Sequence, residues 1–329
     1  MTRRLALLIG ALAGVSLVSL AVGEVSLTPS EVWDGLLSGL GLGSAPRIDE
    51  AVIWDLRLPR ALAVVIVGGG LAAAGVGLQG VYRHPMAEPY LLGISSAAGL
   101  GVVIGSLFTP SGVPPVAAVA LGALVAVAVA LATHRLTAVA GSGNRLILLG
   151  VGLGLTLLAW TVVIVFIGDS PRLPTFTYFV FGSFGSVTWP QLAFATPLML
   201  AGVVVIGIRA RSLDLMALGD AQARGLGVDV RRTATWILVA AGIGTGAGVA
   251  VSGVIGFVGL VAPMLAIRVS GPHHRRLLPM AMVIGALFLM LSDLFSRTVA
   301  GPVEVPVGIV SAAVGGLLMT GLLLRSRMA

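Results

Sequence analysis

The chain has 329 residues, 57% of them hydrophobic and only 10% charged, with a mean hydropathy of +1.07. A soluble domain carries roughly a quarter of its residues as charge, so this composition excludes one and points to a polytopic membrane protein. The net charge of +7 does not indicate nucleic acid as a partner, because the basic residues fall between apolar runs and form no single patch.

Uncharged runs of roughly 20 residues recur along the sequence, the length a helix needs to span a bilayer. They are too long and too uniformly apolar for barrel strands, which alternate, so the predicted fold is all-α. The spans are expected to form one transmembrane domain over residues 1–329. Cysteine is absent, which excludes disulfides, thiolate metal sites and cysteine nucleophiles. Lysine is absent too: all 20 basic residues are arginine. A Walker A loop needs its lysine to reach nucleotide phosphates, so this chain does not hydrolyse ATP by that route.

In chain order, Thr2 to Val22 has two arginines and then an apolar run. It is too long for a signal-peptide core and has no clear A-x-A site, so it is predicted to be an uncleaved first helix with its N-terminus inside. Glu24 to Arg60 is polar and acidic, as suits an outer segment, and ends in WDLRLPR. Apolar spans follow at residues 61–82, 91–108, 114–132, 145–167 and 190–208. The longest polar interruption comes next, Arg209 to Arg232, carrying five arginines against Asp214, Asp220 and Asp229. Four more spans are predicted at 233–254, 256–268, 278–296 and 306–324.

Ten spans place both termini in the cytoplasm. Fifteen of the 20 arginines then lie inside, and Arg47, Arg57, Arg60, Arg172 and Arg297 outside, the bias that the positive-inside rule expects. The Arg209–Arg232 segment becomes cytoplasmic, and its glycine punctuation predicts one or two short helices presenting a face to another protein. An internal repeat is also visible. Ala74-Gly75-Val76, with Gly80-Val81 after it, recurs as Ala247-Gly248-Val249 with Gly253-Val254. Five spans separate the copies, an odd number, which makes the repeat inverted as in many transporters. The glycine run from Gly242 to Gly248 only superficially matches a dinucleotide fingerprint; no strand precedes it, and helix packing explains it.

From WDLRLPR onward the sequence resembles the FecCD-type permeases, membrane subunits of bacterial ATP-binding-cassette importers for iron siderophores, haem and cobalamin. The resemblance rests on RLPR at Arg57–Arg60, LQGVYRHPMAEPYLLGISSAAG, FGSFGSVTW at Phe181–Trp189, ALGDAQARGLGV at Ala217–Val228 and GFVGLVAP at Gly256–Pro263. Three places depart from the family pattern: His84 where asparagine is usual, Met264 after Pro263, and Gly315 to Met319 near the end. The resemblance implies a homodimer of ten-helix subunits in the bacterial inner membrane. Two copies of a separate ATPase would bind underneath, with ATP and magnesium held by that partner and no cofactor by this chain. An extracytoplasmic substrate-binding protein would dock on top. The expected cargo is a metal chelate, an iron(III)–siderophore first, with cobalamin or haem as the alternative.

The same resemblance assigns Leu218, Gly219, Asp220, Ala223, Arg224, Leu226 and Gly227 to ATPase coupling. It assigns Arg57, Arg60 and Arg297 to binding-protein docking, where a guanidinium fork can grip a carboxylate bidentately; local pairing, such as Arg297 with Asp293 one helical turn away, is the plainer role. Gln79, Tyr82 and Arg83 end the second span and are candidates for a path or gate, or for helix termination. Asp293 is read as the one acid deep within an apolar run. The four histidines fall in predicted cytoplasmic loops and are not spaced to hold one metal on a helix. No set of nucleophile, base and metal ligands converges, so an enzyme is not expected. The absence of a chain of buried carboxylates argues against an ion-coupled secondary transporter.

Overall fold

The computed structural model describes residues 2–23, 27–42, 46–107, 116–140, 143–167, 179–299 and 304–326. These are helical and connecting segments, with no strand among the described residues. Arg172, residues 114–115 of the predicted third loop-to-span junction and Arg327 lie outside them.

Seven helices are long and apolar enough to cross a membrane: α1 (Thr2–Ala21), α4 (Leu58–Tyr82), α6 (Val116–Ala140), α7 (Gly143–Ile167), α8 (Trp189–Ile208), α11 (Val230–Ser252) and α13 (His274–Thr298). Three shorter apolar helices join them, α5 (Ile94–Leu107), α12 (Val258–Ser270) and α14 (Val307–Ser326). Together they occupy the ten predicted spans. Helices α2 (Pro29–Gly39) and α3 (Arg47–Ala51) precede α4, and α9 (Ala210–Met216) and α10 (Asp220–Gly225) fill the central polar segment.

The stretch ending in WDLRLPR is not an irregular outer loop. It is helical and runs without interruption into α4 through a π-helical turn, Val52–Arg57. Pro59 accounts for the turn: proline lacks an N–H and its ring crowds the preceding carbonyls, and the wider turn, in which Leu58 N–H donates to the Ile53 carbonyl, accommodates it.

Helix α4 lies at the centre, packed on α13, α11, α12 and α8, while α6 packs on α5 and α11. Small residues allow this. A Cβ on Gly75 would overlap the Gly259 carbonyl of α12, so the two backbones touch in the middle of α4. Lipid-length helices such as α1 and α7 keep most of their surface exposed.

The repeat read from the sequence is a structural one. Long α4 and long α11 each end in a non-helical break followed by a short helix, α5 or α12. Each break is bounded by two left-handed residues: Arg83 (φ 50°) and Gly93 (φ 75°) in the first, Gly253 (φ 68°) and Phe257 (φ 69°) in the second. Non-glycine residues adopt this region at a cost of order 1–2 kcal/mol, so Arg83 and Phe257 are held there by their surroundings.

Non-helical backbone within an apolar bundle must find partners in protein. In the second break the Val254 N–H donates to the Phe179 carbonyl (3.1 Å), and the Ser183 N–H donates to the Ser252 carbonyl (2.8 Å). The FGSFGSVTW stretch is thus the cover of that break, with Phe184 buried beneath it.

Candidate functional site

Two polar clusters stand at opposite ends of α4, about 35 Å apart by the helical rise of the 23 residues from Arg60 to Arg83. At the first end, Arg60 donates through Nε and Nη2 to Oδ1 of Asp293 (3.0 and 2.9 Å) and through Nη1 to Oε1 of Glu304 (2.8 Å). The other oxygen of Asp293 faces Nε of Arg297 at 3.2 Å. Asp293 is fully buried, so one buried carboxylate is shared by two guanidinium groups.

Arg297 and Arg57 are also committed to α1. Arg297 donates to the carbonyls of Ser19 and Val22 and to Ser19 Oγ, and Arg57 donates to those of Leu20 and Ala21. The last carbonyls of a helix lack intrahelical partners and carry the negative end of its dipole. Two arginines from other helices satisfy them, which fastens α1 to α4 and α13. The predicted Arg297–Asp293 pair is therefore present, and Arg57 is buried against the end of α1. These arginines line a cavity of about 360 Å³ together with Val52, Leu56 and Glu304.

At the second end lie α9 and α10, joined by Gly219 at φ 111°. Asp229 caps α11 by accepting from the Arg232 N–H (2.9 Å). Leu218 and Leu226 are each 59% exposed, with Arg224 between them and exposed as well. The two leucines flank α10, one before its first turn and one just after its last, and together with Arg224 they form a mixed apolar and basic surface. Ala223 differs: it is fully buried, packed with Leu213, Met216 and Ala234, so it supports this surface from below and is no part of it. Gly227 is exposed at φ 83° and closes α10.

One ion pair and one histidine–carboxylate contact tie this segment to the bundle. Arg83 Nη2 meets Oδ1 of Asp220 at 2.8 Å while its Nη1 donates to the Met216 carbonyl (3.4 Å). Asp214 accepts from the backbone N–H of His274 and lies 2.6 Å from its Nδ1. Tyr82 stacks edge-on against His134 (5.8 Å). His134 is thus within α6, not in a loop, because α6 continues six residues past it and beyond the predicted span. Gln79 donates to the Gly259 carbonyl (3.2 Å), at the crossing of α4 and α12.

One functional candidate is absent from the sequence reading. Glu88, in the first break, is 1% exposed and accepts from the N–H of Phe257 (3.3 Å), the first residue before α12. Asp293 is therefore not the sole buried acid. In sequence Glu88 stands between Pro85 and Pro89 and looks like an ordinary loop residue. Its one signal was its place inside a break that matches, through the repeat, the break at Gly253–Phe257.

Comparison with known proteins bears on this geometry. The model of the FecCD transport family matches residues 11–325. The chain belongs to that family. Among curated FecCD relatives, the hemin transport system permease protein HmuU of Yersinia pestis is 40% identical over 282 residues, 84% of each chain. The Fe(3+) dicitrate transport system permease protein FecD of Escherichia coli is 36% identical over 317 residues, 96% of each. A solved structure of a metal-chelate type ABC transporter in an inward-facing conformation aligns with a TM-score of 0.82 at 27% identity, covering 99% of this chain and all of the other. The family motifs read from the sequence map onto the two breaks, the segment covering the second, the π turn and α9–α10.

Proposed function

We propose that this chain is the membrane-spanning permease of an ATP-binding-cassette importer for a metal chelate, with an iron(III)–siderophore as cargo. It works as a homodimer in the bacterial inner membrane, with residues 1–329 forming one permease domain and both termini in the cytoplasm. The arginine distribution supports that orientation, with the Arg83 end inside and the Arg60 end outside. Two copies of a separate ATPase hold ATP and magnesium and bind the exposed face of α9 and α10. Leu218, Arg224, Leu226 and Gly227 meet the motor, and Asp220 and Gly219 set the spacing of the two helices.

The observation that carries this reading is that face: two exposed leucines on either side of an exposed arginine, at the ends of α10, on a segment anchored to α4 by the Arg83–Asp220 ion pair and to α13 by the Asp214–His274 hydrogen bond, in a chain of the FecCD family. On the opposite side, the cavity among Arg57, Arg60 and Arg297 is the docking place for acidic side chains of an extracytoplasmic binding protein. Gln79, Tyr82 and Arg83 lie by the inner end of the path. Hemin or cobalamin is the second reading for the cargo, favoured by the 40% identity to a hemin permease.

The deciding test is reconstitution with the neighbouring ATPase and binding protein in proteoliposomes. Uptake of the chelate that the binding protein retains should require ATP in the motor compartment. Accumulation driven by an ion gradient, without any ATPase, would overturn the reading in favour of a secondary transporter.

A further inference from the structure

The first break, residues 83–93, is fixed at two points that belong to different parts of the molecule. At its start, Arg83 is bound to Asp220 of α10 and to the Met216 carbonyl at the end of α9. Five residues on, Glu88 is bound to the N-terminus of α12: the Phe257 N–H donates to its Oε1 (3.3 Å). Phenylalanine has no side-chain group with which to cap a helix. The cap of α12 comes instead from the carboxyl oxygen of a residue 169 positions away in sequence, which takes up an amide that the helix itself leaves without a partner.

Between these points the chain is stiff. Pro85 has a fixed φ, the Ala87 N–H donates to the His84 carbonyl (3.1 Å), and the Met86 N–H donates to Nδ1 of the same histidine (3.2 Å). Beyond Glu88, Pro89 and Tyr90 press against Gly259 and Gly256, the glycines on either side of Phe257 and Val258. Helix α12 otherwise packs on α4, α13 and α14; its substantial contacts are not with α9 or α10 among the described residues. The strut from Arg83 to Glu88 thus links the α9–α10 segment to the first turn of a helix that begins in the middle of the bundle, separately from the Asp214–His274 contact, which lies beyond the last turn of that helix.

We infer that Glu88 is a positioning residue for transport, which transmits displacement of α9 and α10 along this strut to the N-terminal turn of α12. The inference rests on the proposed coupling role of α9 and α10. A short helix starting at mid-bundle behind a break can tilt or slide without unwinding a full span, and its first turn is gripped by a group whose other end is tied to the motor surface. An acceptor oxygen on a side chain of this length is needed there because it is what holds the Phe257 N–H at the start of α12.

Hydrogen exchange tests this in the purified permease–ATPase complex, nucleotide-free and after trapping with magnesium ATP and vanadate. In the native complex, peptides over residues 217–228 and over 256–265 should both change exchange rate on trapping, the second by about tenfold. With Glu88→Ala, the 217–228 change should persist while that at 256–265 falls below about twofold. Glu88→Gln, which keeps an acceptor oxygen at the same reach, should retain most of it. Should Glu88→Ala fail to assemble, Arg83→Ala, at the exposed end of the strut, should separate the two responses in the same way. A native-sized response at 256–265 in Glu88→Ala or in Arg83→Ala overturns the inference alone. No change at 217–228 in the native complex overturns the coupling reading, and the inference with it.

Discussion

At one end of α4, Arg60 and Arg297 share Asp293, whose side chain is 0% exposed; at the other, Arg83 meets Asp220 with side chains 42% and 41% exposed. The residue types and distances are alike, but the energetics are not. A buried pair has given up hydration that only its partner replaces, so removing one member leaves a stranded charge. An exposed pair exchanges its partner for water at little cost. The Arg60 end is therefore built to hold its helices in one arrangement. The Arg83 end can break and re-form its contacts, as a segment that moves against the bundle must.

The largest effect is expected from Asp293→Ala. Two guanidinium groups lose their buried carboxylate, and the loss should be about 3–5 kcal/mol, read as a fall in the thermal midpoint of the purified permease in detergent. A midpoint within a degree or two of the native would show that water reaches the cluster and would erase the contrast. Arg57→Ala should come next, at about 1.5–3 kcal/mol for the hydrogen bonds to the end of α1. The same variant sharpens the functional side. If affinity for the binding protein stays native while stability falls, Arg57 only fastens α1, and docking belongs to the cavity's other arginines.

Both ends contain residues that the sequence singled out, and the reasons why some of their roles were hidden are physical. Apolar runs of membrane length locate ten helices without any tertiary information, and Gly219 with Gly227 marks the ends of α10 because left-handed residues close short helices. The Arg297–Asp293 pair is legible because one helical turn separates its members. The Arg60 contacts are not: Asp293 and Glu304 lie 233 and 244 residues away, and only packing brings them together. Ala223 stands among the coupling residues that the family resemblance assigns, but a six-residue helix must turn one face inward. Glu88 is hidden in the sequence for a related reason. Loop residues between prolines usually face water, and nothing local says that this break folds back into the bundle, although the repeat places its partner break inside.

Glu304→Gln probes the rim of the buried cluster. Glu304 is 29% exposed and holds one arm of Arg60, whose other arm remains on Asp293. The expected loss is about 1 kcal/mol or less, measured by the same thermal midpoint. A loss equal to that of Asp293→Ala would mean that the cluster acts as one unit, with no gradation from rim to core.

The smallest effect on stability, and the most telling for the contrast, is expected at Arg83 and Asp220. A double-mutant cycle of Arg83→Ala and Asp220→Asn should give a coupling of about 0.2–1 kcal/mol. That coupling should shrink as salt rises, because the screening length falls from about 10 Å at 0.1 M to about 3 Å at 1 M. The cycle at Arg60 and Asp293 should be much less sensitive to salt, since the Asp293 carboxylate is buried and buried pairs are screened far less than exposed ones. A salt-insensitive coupling at Arg83–Asp220 would place that pair in the rigid class with the Arg60 cluster, and a strut fixed so firmly at its motor end would have to move as one body with α9 and α10. Salt sensitivity instead leaves the pair free to part, so that the strut is engaged only while α9 and α10 press against the bundle.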